Sequence, residues 1–236
     1  MNIIITGASR GIGYELVKLF AKKSGNRIIA ISRNKEKLIQ LRQESLSYNS
    51  GSEVLPFVCD LNDAVAVKSI PEFVSEHLKE VDVLINNAGA IVNKPFAEIT
   101  ESDLQYVYGV NVFAVVRLIQ SLLPSMNFEQ RSHVVNISSM GGFQGSAKFP
   151  GLSAYSSSKA ALACLTECLA EEFKEKNIAF NCLALGAAQT EMLEEAFPGY
   201  KAPLTASEMA EFIMSFSLDG QKYLNGKIIP VSMSTP

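Results

Sequence analysis

The sequence predicts an α/β protein: one domain over residues 1–236, built as a doubly wound parallel sheet of about seven strands with helices on both faces. Three observations predict it. Short, continuously apolar runs alternate with longer segments of helical periodicity. Those runs lack the apolar/polar alternation of a sheet with one wet face, as strands buried on both sides do. Glycine or polar residues follow the ends of six of them, on the edge where ligands of such sheets bind.

The elements follow in order. "NIII" (2–5) is a β-branched run that reads as a buried first strand, and the apolar residues Leu16, Val17, Leu19 and Phe20 mark one face of a helix near 11–23. "RIIAIS" (27–32), "EVLPFV" (53–58), "VDVLIN" (81–86), "HVVNIS" (133–138), "IAFNCLAL" (178–185) and "KIIPV" (227–231) are the remaining strands. Helical patterns fall near 34–47, 63–80, 100–126, 152–176 and 206–217, and "SYNSGSE" (47–53) is a polar loop. The stretch 190–206 fits neither period and reads as a substrate lid.

Composition narrows the function. With 47% hydrophobic and 19% charged residues the chain suits a packed globular protein, and a net charge of −3 gives no basic footprint for nucleic acid. No apolar run approaches the roughly 18 residues of a membrane span. The first strand begins at Asn2, so no leader is expected and the chain is read as cytoplasmic. Cys59, Cys164, Cys168 and Cys182 lie in apolar segments without metal-like CxxC spacing, so buried reduced thiols and no metal site are expected.

Two motifs carry the chemistry. "TGASRGIG" (6–13) sits where a strand turns into a helix; there exposed N–H groups and the helix dipole favour an anion, and glycine lets a phosphate come close. By itself the loop is weak evidence, because a plain tight turn is an alternative. "AYSSSKAAL" places Tyr155 and Lys159 four apart, on one face of a helix, where an adjacent ammonium would lower the phenol's pKa. A solvated surface pair is the alternative, but the apolar "AALACLTECLAEEF" that follows argues for a largely buried helix.

Taken together the sequence resembles the short-chain dehydrogenase/reductase family over nearly the whole chain. The matching motifs are TGxxxGxG at Thr6–Gly13, Asp60 after the third strand, NNAG at Asn86–Gly89, Asn111, the serine of N-x-S-S, and YxxxK. The resemblance implies a Rossmann-type fold with the dinucleotide pyrophosphate on Gly7, Ser9, Arg10, Gly11, Ile12 and Gly13. It also puts the adenine amine at Asp60 and Leu61, the adenosine side on Asn87, Ala88 and Gly89, and further cofactor contacts at Gly186, Ala188 and Thr190. Tyr155 would exchange a proton with a carbonyl or alcohol oxygen, and Ser139, with Ser138 as the alternative, would hydrogen-bond that oxygen. Lys159 would hold the nicotinamide ribose and depress the tyrosine pKa. Asn111 would position a relay water, or serve only as a helix-packing amide.

After the second strand, Ser32 and Arg33 replace the carboxylate that would bond the 2′-hydroxyl of NAD, and Arg10 lies in the glycine loop. The expected cofactor is therefore NADP(H) rather than NAD(H). The expected activity is reduction of a small-molecule carbonyl, with an NAD-dependent alcohol dehydrogenase or a non-catalytic dinucleotide sensor as alternatives. The family pattern is departed from at Leu185, where proline is usual, in a longer loop near "SAKFP", and in the terminal "VSMSTP". Helices 100–126 and 152–176 are apolar around more of their circumference than one sheet face covers, which points to a homodimer or homotetramer.

Overall fold

Each β-branched run becomes a strand. β1 (Asn2–Thr6), β2 (Arg27–Ser32), β3 (Glu53–Val58), β4 (Val83–Asn86), β5 (Ser132–Ser139) and β6 (Ile178–Leu185) are followed by a short β7 (Ala188–Gln189) and β8 (Leu204–Thr205), then by β9 (Lys227–Val231). The computed structural model describes residues 1–126, 129 and 131–233. In it seven strands form one sheet in the order β3-β2-β1-β4-β5-β6-β9, every adjacent pair parallel. The chain winds outward from β1 to β3 and returns to β4 on the other side of β1. The topological switch point therefore lies between β1 and β4.

Alternating side chains feed two cores, as the period of a strand requires. Ile3 and Ile5 join Leu16, Val17, Phe20, Leu38 and Ile213 under α1 (Gly11–Lys22), α2 (Lys35–Leu46) and the late helix Ala206–Asp219. Ile4, between them, joins Val74, Val115, Leu118 and Leu162 on the opposite face. That face is covered by α3 (Ile70–His77), α4 (Glu101–Tyr108), α5 (Ala114–Leu122) and α6 (Ser153–Glu172). The last two helices are α7 (Glu191–Ala196) and α8, the Ala206–Asp219 helix.

Three sequence expectations change. The helix expected over 63–80 is shorter: a 3-10 turn at Ala66–Ser69 precedes α3, whose first turn carries Pro71 where its missing N–H costs nothing. The helix expected over 100–126 is continuous in backbone but widens to a π-turn at Gly109–Phe113 between α4 and α5. By length and composition the run Glu101–Ser125 could cross a bilayer, although no such run was read from the sequence. Its inward residues, including Leu118, Ile119 and Leu122, are core. Finally, Cys59 and Cys182 are buried, whereas Cys164 and Cys168 are exposed on α6. The buried positions of α6 run through Ser158, Leu162, Ala163, Thr166 and Ala170, which leaves 164 and 168 on the far side of the helix.

The stretch 190–206 has regular structure of its own. Thr190 caps α7 by accepting from Leu193 N at 3.2 Å, and β7 pairs with β8 through Ala188–Leu204 and Gln189–Thr205. None of α7's residues is fully buried. In the terminal "VSMSTP", residues 234–236 lie outside the described residues.

Candidate active site

The glycine loop is shaped by close backbone approach. Gly7 has φ +68°, a conformation that favours glycine, and a side chain on it would meet Ala88 Cα at 2.9 Å. A Cβ on Gly13 would lie 2.3 Å from Gly7 O and 2.5 Å from Asn87 Nδ2. The loop is locked to the NNAG turn across the switch point: Thr6 Oγ1 accepts from both Asn87 N and Ala88 N at 3.0 Å, and Asn87 Nδ2 donates to Thr6 O at 3.0 Å.

Beyond this loop α1 begins without a side-chain cap, and no carboxylate lies in its first turn. Among the described residues no side chain accepts from the N–H groups of Gly11, Ile12 or Gly13. Uncapped donors behind a glycine cradle fit an anion such as a pyrophosphate. Thr190 closes the cradle from the other side, its methyl 3.2 Å from where a Cβ on Gly11 would be.

The adenosine side is less crowded. Asp60 is exposed and its Oδ1 accepts from Asn62 N at 3.0 Å, while Leu61 is buried with its carbonyl held by Arg117 Nη2 at 3.0 Å. Ser9 and Ser32 share a hydrogen bond of 2.7 Å, which sets the glycine loop against the end of β2. Arg33 is exposed and forms no ion pair among the described residues. Arg10 turns away to Glu195 on α7, so the structure does not bring the two arginines onto one point. Glu195 was not singled out from the sequence, and nothing in its local pattern marks it.

The reactive groups gather around α6. Tyr155 lies beside Ser139, near enough for the serine side chain to act on its phenol. Gly141 N donates to Ser139 Oγ at 3.1 Å, leaving the serine's own proton free to donate. Ser138 points to the other face and donates to Lys159 O at 2.8 Å. The turn Met140–Gly142 packs directly on α6, where a Cβ on Gly142 would meet Ala160 N at 2.6 Å. Lys159 is buried; its Nζ donates to Ile137 O at 2.8 Å and lies 5.9 Å from the Tyr155 ring centroid.

The electrostatics differ from the expectation that Lys159 would depress the tyrosine. Burial raises the Tyr155 pKa, and the adjacent Ser139 hydroxyl opposes it. Burial also lowers the Lys159 pKa, to about 8, against a small opposing pull from Cys182. Desolvation disfavours the charged form of each group, most clearly of the buried Lys159, so each is pushed toward neutrality.

Asn111 sits on the π-turn, fully buried. Its Oδ1 accepts from Ala90 N at 2.8 Å, and its Nδ2 donates to Ala90 O and Ser158 Oγ, both at 2.9 Å. Ser158 Oγ in turn donates to Tyr155 O at 2.7 Å. The amide therefore clamps the segment after NNAG to α6, with one Oδ1 lone pair left over. Gly89 lies beside both Asn111 Oδ1 and Lys159 Nζ.

Where proline was expected, Leu185 continues the sheet, paired with Ser139 and Val231, and Gly186 N extends that ladder to Val231 O at 2.8 Å. Ala188 and Thr190 follow over α1. Another unforeseen residue is Asn93, whose Nδ2 donates to Ala196 O at 3.0 Å and whose Oδ1 lies against Gly151, tying α7 to the 143–151 loop.

A parallel sheet with a glycine cradle at its switch point, and Ser139, Tyr155 and Lys159 beside it, defines a Rossmann-type, nucleotide-binding oxidoreductase. The short chain dehydrogenase family model matches residues 1–201. A 3-oxoacyl-[acyl-carrier-protein] reductase FabG of Thermotoga maritima is 31% identical over 97% of this chain and 94% of that protein. A fatty acyl-CoA reductase of Acinetobacter baylyi is 30% identical over 89% of this chain and 70% of that protein. The structure of L-sorbose reductase from Gluconobacter frateurii, complexed with NADPH and L-sorbose, matches with TM-score 0.87 and 25% identity over 99% of this chain and 95% of that one. The chain belongs to the short-chain dehydrogenase/reductase family, whose members bind NAD(P).

Proposed function

We propose that the protein is an NADPH-dependent carbonyl reductase. The observation that carries the reading is the grouping of Ser139, Tyr155 and the buried Lys159, whose Nζ lies 5.9 Å from the Tyr155 ring centroid. The printed functions of the relatives, reduction of 3-oxoacyl and sugar-ketone substrates, support the carbonyl class.

The reduced nicotinamide supplies the hydride. Ser139, its oxygen already accepting from Gly141 N, donates its proton toward the substrate carbonyl oxygen and fixes its position. Tyr155 keeps its proton at neutral pH because burial raises its pKa, and it delivers that proton to the oxygen as negative charge develops there. The phenolate left behind is stabilised by Ser139, and the Lys159 ammonium would hold the nicotinamide ribose. Asn111 holds Ala90 and Ser158, and so keeps Lys159 and the tyrosine's helix turn in register. A relay water would use the remaining Oδ1 lone pair.

NADPH over NADH rests on the lack of a carboxylate after β2 and on the free guanidinium of Arg33. The segment 190–206 serves as the lid of the single domain. Assembly as a homodimer or homotetramer is supported by Leu104, Tyr106 and Phe113, exposed on α4 and the π-turn.

The test is NADPH oxidation against ketones, diketones and 3-oxoacyl thioesters. Tyr155→Phe is expected to lower kcat about 100- to 10,000-fold while leaving NADPH binding within about twofold. Turnover near wild type would reject the role given to Tyr155, and no turnover of any carbonyl would favour a dinucleotide sensor.

A further inference from the structure

We propose that Glu195 is a specificity-determining residue of the nucleotide site: by holding Arg10 for the lid, it withholds that guanidinium from a ribose 2′-phosphate and weakens discrimination between NADPH and NADH. The inference rests on the functional reading above, because it takes the nucleotide to lie across the glycine loop.

The geometry begins with Ser9 and Ser32, hydrogen-bonded at 2.7 Å. Arg10 follows one of these serines and Arg33 the other, so their backbones flank a single point between the glycine loop and the end of β2. Arg33 is free there. Arg10 instead forms a two-pronged pair with Glu195, Nη1 to Oε1 and Nη2 to Oε2, the latter at 3.2 Å. A planar guanidinium uses its fixed fork in such a pair and cannot present the same two donors to a phosphate.

What Glu195 holds is also the lid. With no fully buried side chain, α7 is held by two polar tethers, Arg10 to Glu195 and Asn93 Nδ2 to Ala196 O at 3.0 Å, while the Thr190 methyl packs against Gly11. A 2′-phosphate that recruits Arg10 must first take it from Glu195, whereas NADH makes no such demand. Glu191, one turn earlier on α7, also lies near Arg10 and Gly11 but forms no hydrogen bond with the guanidinium. It serves as a control for the general negative field of the lid.

Because both partners are largely exposed, the effect is bounded by the worth of a surface ion pair, about fivefold at most. Kd values for NADPH and NADH are measured by protein fluorescence or calorimetry on the full chain and on variants, so no catalytic readout is needed. Glu195→Gln is expected to tighten NADPH about threefold to fivefold and to move NADH by less than twofold. With Arg10→Gln already present, adding Glu195→Gln should change neither Kd, and Glu191→Gln alone should give less than half the effect. An unchanged NADPH to NADH ratio in Glu195→Gln, or an equal response to Glu191→Gln, would overturn the inference alone. Failure of the wild-type chain to bind either dinucleotide would overturn the functional reading and the inference with it.

Discussion

Lowering the pH from 7 to 5 should destabilise this protein through one buried histidine that plays no part in its chemistry. His133 is the second residue of β5, the strand that ends in Ser138 and Ser139, and only 1% of it is exposed. Its Nδ1 faces Ser217 O at 3.0 Å, so Nδ1 carries the proton and Nε2 accepts from Asn181 Nδ2, also at 3.0 Å. That amide has no freedom to turn: Nδ2 also donates to Leu224 O at 3.0 Å, and its Oδ1 accepts from Lys227 N at 3.1 Å. A second proton on the ring would therefore meet a donor. Burial, helped by the charge of Arg131, draws the pKa down to about 4, with only the Ser217 carbonyl opposing.

The unfolded chain takes up this proton around pH 6.5, and the folded chain takes it up only near pH 4. Between these values the unfolded state binds one proton more, so stability rises with pH, is complete above about 6.5 and is lost as pH falls toward 4. The whole interval is worth about 3 kcal/mol, of which about 2 kcal/mol falls between pH 7 and 5. Carboxylates contribute their own acid dependence, so the measurement is a difference. Urea unfolding of wild type and His133→Gln at pH 7 and 5 should show the wild type losing about 2 kcal/mol relative to the variant. Parallel losses, or a ring resonance that titrates near 6.5 in the folded protein, would refute the argument.

Three further outcomes follow from the site. Lys159 is charged below about 8 and neutral above it, so kcat/KM for carbonyl reduction should fall on the alkaline side with a limb near that value; a flat profile to pH 10 would contradict the role given to the ammonium. Gly13→Ala puts a methyl 2.3 Å from the Gly7 carbonyl, which must push α1 off β1. A loss of about 1–3 kcal/mol of stability and at least about tenfold in dinucleotide affinity is expected, and unchanged calorimetric binding would show that the cradle is not the binding site. Phe113→Asp, at a side chain 52% exposed, should split the proposed oligomer in sedimentation while leaving the monomer folded. Leu165 would be a poorer probe, because it packs against the core.

Most of the fold was legible because its signals are local. Each strand of the sheet is four to eight residues long around an apolar run, and the spacing between runs leaves room for a crossover helix. Where the reading failed, the information was either phase or length. Cys164 and Cys168 lie among apolar neighbours, yet helical phase places them outward, opposite Leu162 and Thr166. In α7 six residues give less than two turns, too few for a period to show, and its start is marked only by Thr190.

The site divides in the same way. Thr6–Gly13, Asn86–Gly89 and Tyr155–Lys159 are each contiguous, so a single segment announces them. The contacts that decide how they work join residues far apart in sequence and leave no local trace. Lys159 is an example: four residues from Tyr155 it reads as the tyrosine's counter-ion, but burial and the Ile137 carbonyl govern it instead. Arg10 carries the point further. Read in its loop it is a phosphate ligand, and 185 residues away Glu195 already holds it. If Glu195 acts as proposed, nucleotide choice in this chain is not a property of the residues after β2 alone. On that proposal a phosphate and α7 compete for one guanidinium, a relation that no motif within a single segment can express.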